Sequence, residues 1–251
     1  MNILVCIKRV PMTGAKIVLT DDAQAINTQH LGFTFSPHEE CAVEEAVRLI
    51  EAHGGSATVL TLGSDESTEQ LRYALSMGMK EAILLETDGQ EWGPMATANA
   101  IVEAVKQHGP YDLLMFGNES ADSGGYQVGV RVAHALDIPC VTGIKGLEAE
   151  GDKILAKKEI SGGQEVYEVA LPAIVTVKEG LNYPRYPSVP GRLRAKRAPI
   201  ETLSPQPTEE GFTKVKLHVP PEEVSEAQVL GEGPAAAPKI VEMMKELGLV
   251  A

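Results

Sequence analysis

A chain of 251 residues, 43% of them hydrophobic, can bury a substantial core as one large domain or as a domain with an appendage. Its net charge of −13 excludes a general nucleic-acid binder, because neutralising phosphates takes a basic surface. Aromatic side chains make up only 4%, which leaves little with which to stack bases or enclose a flavin ring.

The first apolar run, Asn2-Ile-Leu-Val-Cys-Ile7, predicts a strand. Its start at residue 2 leads us to expect no signal peptide. No apolar run approaches the ~20 residues of a membrane span, so a cytoplasmic protein without direct membrane insertion is expected. Lys8-Arg9-Val10-Pro11 follows, either as the border of a ligand crevice at the carboxyl end of a parallel strand or as a plain charged strand exit. Three cysteines without C-x-x-C spacing and six histidines without H-E-x-x-H give neither a disulfide frame nor a metal site. Cys6 itself reads as a small core residue.

Ser36-Pro37-His38-Glu39 combines an N-cap, a proline at the first helical position and a capping-box glutamate, predicting a helix over about 38–53. Ala42, Val43, Ala46, Val47 and Ile50 form its apolar face, and Gly54-Gly55 stops it. Ser36 and Glu39 already have structural work there, and any ligand role would be additional. Strands at 57–62, 82–85 and 112–116, with helices at about 66–77, 95–107 and 126–136, continue a β-α-β-α rhythm. That rhythm implies an α/β fold with a mainly parallel sheet covered on both faces.

At Gly117 an apolar strand breaks into Gly117-Asn-Glu-Ser-Ala-Asp122-Ser-Gly-Gly125-Tyr-Gln-Val128, followed by a helix. Strand, glycine-rich loop and helix N-terminus can hold an anion on free backbone N–H groups, or can simply be a soft βα turn. Neither a Walker loop nor G-x-G-x-x-G is present. Glu119 and Asp122 would repel a phosphate unless they point away, meet ribose hydroxyls or brace the loop; Asp122 is also placed to cap the next helix. No Ser-His-Asp, Cys-His or paired-carboxylate set is legible, so no catalytic residue is expected.

Beyond Pro139 the period becomes extended, and runs at 145–149, 153–159 and 165–170 predict a β-meander before a strand at 173–177. Ten of the sixteen prolines then fall between residues 184 and 251, which suggests an extended arm closed by a helix near 236–247. The organisation expected is an α/β domain over 1–190 and an arm over 191–251. Six basic residues and one acid lie between Lys178 and Ile200. Pro184, Pro187, Pro190 and Gly191 stiffen a loop that carries Tyr183, Tyr186 and Val189 beside Arg192, Arg194, Lys196 and Arg197. It reads as a preorganised docking element or as a buried crossover to the arm.

Taken together, Leu4-Val-Cys-Ile-Lys-Arg-Val10, Ala42-Val-Glu-Glu-Ala-Val-Arg-Leu49, Leu71-x-x-Ala74-Leu-x-Met-Gly78, the glycine-rich loop and Leu181-Asn-x-Pro-Arg-Tyr186 resemble the β subunit of electron-transfer flavoproteins. The resemblance runs over most of the chain. It implies a Rossmann-like domain and a heterodimer whose α subunit carries the redox FAD and is wrapped by the C-terminal arm. It also implies an electron carrier rather than an enzyme, taking electrons from flavoprotein dehydrogenases and giving them to a quinone oxidoreductase or another acceptor. Carried over by position, an adenine nucleotide would meet Cys6, Ser36, Pro37, His38, Glu39, Leu62 and Gly63. The loop would contribute Gly117, Asn118, Glu119, Ser120, Asp122, Ser123, Gly124, Gly125, Tyr126, Gln127 and Val128. Tyr186, Val189 and the basic run Arg192, Arg194, Lys196, Arg197 would receive partner dehydrogenases. Thr13 and His38 stand where relatives place aromatics near the flavin.

Gln127-Val128-Gly129 resembles the bifurcating, NADH-linked branch with a second FAD, yet Asp122-Ser-Gly-Gly125 replaces that branch's Asp-Gly-Asp-Thr. AMP and a second FAD therefore both stand, with AMP favoured. A stand-alone nucleotide sensor shares the βαβ core but has no use for the meander, the 181–197 segment or the arm.

Overall fold

The computed structural model describes residues 1–12, 14, 17–221 and 228–250. In chain order, β1 (Asn2–Ile7) leads through a small antiparallel ribbon, β2 (Val10–Pro11) with β3 (Phe33–Thr34), to α1 (Pro37–His53). Then come β4 (Ser56–Gly63), α2 (Thr68–Met77), β5 (Glu81–Glu86), α3 (Pro94–His108), β6 (Leu113–Gly117) and α4 (Val128–Leu136). β7 (Cys140–Ile144) precedes the meander β8 (Gly146–Glu150), β9 (Lys153–Ile160) and β10 (Gly163–Ala170), and β11 (Ala173–Val177) follows it. α5 (Val189–Arg197), β12 (Glu201–Leu203) and α6 (Ala237–Glu246) complete the chain.

Seven strands form one sheet in the order β12-β5-β4-β1-β6-β11-β7, and every pairing in it is parallel. Alternation along β1 explains how the sheet is covered. Ile3, Val5 and Ile7 join the core beneath α1 and α2, whereas Leu4 and Cys6 join the core beneath α3 and α4. This is a Rossmann-like α/β fold, as the β-α-β-α rhythm requires. The chain runs outward from β1 through β4 to β5, then crosses back to lay β6 on β1's other side. The carboxyl ends of β1 and β6 therefore flank a topological switch point, where open α/β sheets place their ligand crevice.

α1 forms as its local signals dictate. Ser36 Oγ accepts from the Glu39 N–H (3.4 Å), and the Glu39 carboxylate accepts from the Ser36 N–H (2.9 Å). Ala42, Val43, Ala46, Val47 and Ile50 are all buried, each larger side chain contributing about 1.5–3 kcal/mol. Gly54 closes the helix by donating its N–H to Ile50 O (3.0 Å).

The last third departs from a simple extended arm. Residues 189–197 are helical, because Ser188 caps the Gly191 N–H (3.1 Å) and Pro190 sits in the first turn. β12 then adds a strand to the main sheet against β5. The following stretch is tied to the body by polar contacts. Glu210 accepts from the Ala96 (2.6 Å) and Met95 (3.4 Å) N–H groups at the start of α3, and Asn99 donates to Thr208 (2.9 Å). α6, by contrast, buries none of its described side chains, and Phe212, Val215, Val229, Leu247 and Leu249 are exposed. No helix among the described residues is long and apolar enough to cross a membrane.

Candidate nucleotide crevice and docking surface

The switch point is built around Glu39. Its buried carboxylate accepts the backbone N–H groups of Ser36 (2.9 Å) and Lys8 (3.0 Å), joining the start of α1 to the end of β1. Burial pushes the carboxyl up to about 8, against the pull of those two N–H groups and of the Lys8 charge. β6 closes on the same group: a Cβ at Gly117 would lie 2.6 Å from Glu39 Cγ, so this glycine is required by close approach. Cys6 lies buried beneath, and burial drives its thiol upward, which suits a core residue and not a nucleophile.

The loop beyond Gly117 disposes of both its acids internally. Asp122 meets Lys8 Nζ at 2.6 Å and accepts the Ser123 N–H at 2.7 Å. Burial acts to raise its carboxyl, but the Lys8 charge and hydrogen bonds outweigh it and hold Asp122 below the usual carboxylate range. Glu119 meets His38 Nε2 at 3.2 Å, while His38 Nδ1 accepts the Glu179 N–H at 2.8 Å. With Nδ1 accepting, the neutral ring carries its proton on Nε2, directed at Glu119. Ser36 Oγ donates to Glu119 O (3.4 Å), Ser120 and Ser123 hydroxyls pair (3.0 Å), and the Gly124 N–H closes onto Ser120 O (3.1 Å). Asn118 accepts from Thr176 on neighbouring β11 (2.8 Å). Asp122 thus braces the loop and does not cap α4.

Among the described residues no side chain caps α4. Its N-cap residue, Gln127, commits its Oε1 to Arg131 (2.8 and 3.1 Å), and Val128 begins the helix. The α1 N-terminus is satisfied by its capping box, so α4 presents the freer positive end beside the crevice. Gly129, one residue in, lets α4 lie against Thr176 and Phe116, since a Cβ there would stand 3.0 Å from Thr176 Cγ2. Around Gly125 a Cβ would meet nothing within 4 Å, so the loop's tip faces open space. Tyr126, beside it, is exposed in the left-handed region at φ 56°.

Cys6, Ser36, Pro37, His38, Glu39 and the Gly117–Val128 loop thus converge at the ends of β1 and β6. Leu62 and Gly63 sit one strand away at the end of β4, with Gly63 held close to the Ser67 hydroxyl. Thr13 lies outside the described residues. Lys8 takes a larger part than its place in a charged strand exit suggests, because its partner Asp122 is remote in sequence. Arg9, next to it, is structural: it lies 3.4 Å from the Phe33 ring centroid and pairs with Glu66 at 2.8 Å. A separate cavity of ≈ 500 Å³ lies between the Glu86–Gly93 loop and residues 204–210 of the arm. It shares no residue with the crevice, and the chemistry favours the crevice.

On another face the 181–197 segment projects from the body. Tyr183, Tyr186 and Val189 are 96%, 82% and 71% exposed. Arg192 lies 5.0 Å from the Tyr186 ring centroid. Arg192, Arg194, Lys196 and Arg197 are exposed on α5, and among the described residues no acid pairs with them. α5 is seated by small residues: Gly191 and Ala195 are buried, and Arg72 of α2 donates to Ala195 O (2.6 Å) and Ala198 O (3.3 Å). The projecting segment is therefore an ordered surface and not a buried crossover.

The family model described as the electron transfer flavoprotein domain matches residues 24–208. The chain is similar to the electron transfer flavoprotein subunit beta of Bacillus subtilis (strain 168), 34% identical over 254 residues that cover 98% of each chain. The subunit beta of Syntrophomonas wolfei is 34% identical over 246 residues, covering 98% of this chain and 96% of its own. That of Thermoanaerobacterium thermosaccharolyticum is 38% identical over 197 residues, covering 78% and 75%.

Proposed function

Since the chain belongs to the electron transfer flavoprotein family as a β subunit, we propose that it forms the nucleotide-holding half of an αβ heterodimer and carries out no chemistry of its own. The redox FAD, which takes up and releases electrons when bound, sits mainly with the α subunit. The scarcity of aromatic residues here fits that division. The β subunit holds AMP at the β1/β6 switch point, with its phosphate on the backbone of the Gly117–Val128 loop and the start of α4. The α6 face and the exposed apolar residues of the arm pack on the α subunit.

One observation carries the nucleotide reading. The loop's two carboxylates, which would repel a phosphate, are engaged by Lys8 and His38, while the adjoining α4 N-terminus has no side-chain cap. Flavoprotein dehydrogenases dock on Tyr186, Val189 and the basic helix, and the electrons leave to a quinone oxidoreductase or another acceptor. Apolar projections and unpaired positive charge on one rigid surface suit brief, electrostatically steered encounters.

The test is to co-express the chain with its α subunit and weigh the extracted nucleotides by mass spectrometry. One FAD and one AMP per heterodimer is the expected result. Two FAD and no AMP would replace this reading with that of a bifurcating carrier.

A further inference from the structure

Glu44 and Arg185 are 141 residues apart in the chain and form a forked ion pair, with the Glu44 side chain buried and Arg185 half-buried. Arg185 donates Nε and one terminal nitrogen to the two oxygens of Glu44 (2.9 and 3.1 Å). Its terminal nitrogens also reach the two oxygens of Glu51 (2.7 and 2.9 Å), and its backbone N–H meets Glu44 (3.0 Å). Glu44 and Glu51 are seven residues apart, two turns along one face of α1. A single planar guanidinium therefore spans two helical turns. Three residues earlier, the buried Asn182 amide donates to Cys41 O (3.0 Å) and Glu45 (2.9 Å) on the same helix.

These anchors alternate with side chains that project into solvent. Asn182 is held and Tyr183 projects; Arg185 is held and Tyr186 and Val189 project. Leu181, the buried Pro187, and Gly191 with Ala195 of α5 give the segment a small apolar seat, and the polar grip fixes the stretch between them. We propose that Arg185 is a positioning residue for partner docking: clamped on Glu44 and Glu51, it fixes Tyr186, Val189 and the start of α5 in a ready-made surface without touching the partner. This rests on the reading that Val189 and the basic helix meet the dehydrogenase. Arginine is required because a lysine ammonium is a point charge that cannot fork across both carboxylates. A preformed surface loses less conformational freedom on binding, so the clamp acts on affinity and leaves the electron-transfer step alone.

The test uses the αβ heterodimer carrying Arg185→Lys, with Glu51→Gln as a milder variant that leaves the buried Glu44 contact in place. Three quantities are read: hydrogen exchange of amides 186–197, KM for the heterodimer as electron acceptor, and kcat at saturation. The donor is a substrate-reduced flavoprotein dehydrogenase chosen for its ability to reduce the wild-type heterodimer. Arg185→Lys is expected to speed exchange and raise KM, each by about fivefold, with kcat unchanged; Glu51→Gln should move both in the same direction by less. Unchanged exchange and KM in Arg185→Lys overturns the proposal, and so does either change without the other. Val189→Ala, run alongside, separates the two readings. A wild-type KM in Val189→Ala removes the docking surface itself, whereas a raised KM there with wild-type values in Arg185→Lys removes only the clamp.

Discussion

Lys8 and Asp122 face each other at 2.6 Å across the crevice between β1 and β6, one from each side of the switch point. In the proposed nucleotide site, the pair takes away negative charge that would repel the phosphate. Lys8→Met should therefore leave Asp122 unbalanced and weaken nucleotide retention by about tenfold, or about 1.4 kcal/mol. Lys8→Met combined with Asp122→Asn should recover most of the loss. Nucleotide content after purification and dialysis checks both, and a double variant as empty as the single one would show that Lys8 acts on the ligand directly.

Glu39 predicts a pH dependence. Its carboxyl stands at about 8 in the folded chain, above its ordinary 4.5. A group raised on folding contributes stability that is full below its unfolded value and is lost as pH rises through the folded one. Stability should thus decline between about pH 5 and 8, by at most about 1.4 kcal/mol per unit from this group. Glu39→Gln should lower the overall melting temperature, because an amide offers one oxygen where the two oxygens of the Glu39 carboxyl each accept an N–H, and should flatten its slope over that window. A melting series across pH 5–8 in both proteins decides it; an equal slope in the variant contradicts the assignment.

Docking should divide into two separable effects. Val189→Ala removes part of an exposed aliphatic side chain, and about 1 kcal/mol of burial disappears if it enters a partner pocket. That loss should appear as faster dissociation with little salt dependence. Neutralising Arg192, Arg194 and Lys196 should slow association and flatten its response to ionic strength, because steering charges act before contact. Stopped-flow reduction across a salt series reads both. A large fall in melting temperature with intact transfer rates would make the segment structural.

α6 buries none of its described side chains on its own chain, yet Ile240, Val241, Met244 and Leu247 are apolar and exposed. Its amides should exchange within seconds when the chain is expressed alone and be protected at least a hundredfold in the heterodimer. Equal protection in both states would show that the arm does not need the α subunit.

How far the sequence reveals the structure depends on how local each signal is. α1 is legible residue by residue, because Ser36, Pro37 and Glu39 announce its start and Gly54 its end. α5 is not, since Pro190-Gly191 carry turn signals and its packing face consists of Gly191 and Ala195, too small to show an apolar period. β12 is three residues long and its pairing with β5 is remote, so nothing nearby marks it. β7 hides behind Thr142-Gly143, where Gly143 takes φ 71° and the pairing with β11 shifts register. The crevice itself follows from strand, loop and helix order. The pairing of Glu119 and Asp122 does not, because His38 and Lys8 reach them only through the fold.

We propose that an adenine nucleotide lies against the 117–128 loop while the redox flavin sits with the α subunit. The most direct measurement is nucleotide and flavin content of heterodimers carrying Gly125→Glu and Gly125→Ala. A Cβ at this position meets none of the described residues within 4 Å, so Gly125→Ala leaves the chain's own packing intact and controls for Gly125→Glu. Gly125→Glu, which brings a carboxylate against the phosphate, should lose the AMP and keep the FAD, and Gly125→Ala should keep both. AMP retained at wild-type stoichiometry in Gly125→Glu would contradict it.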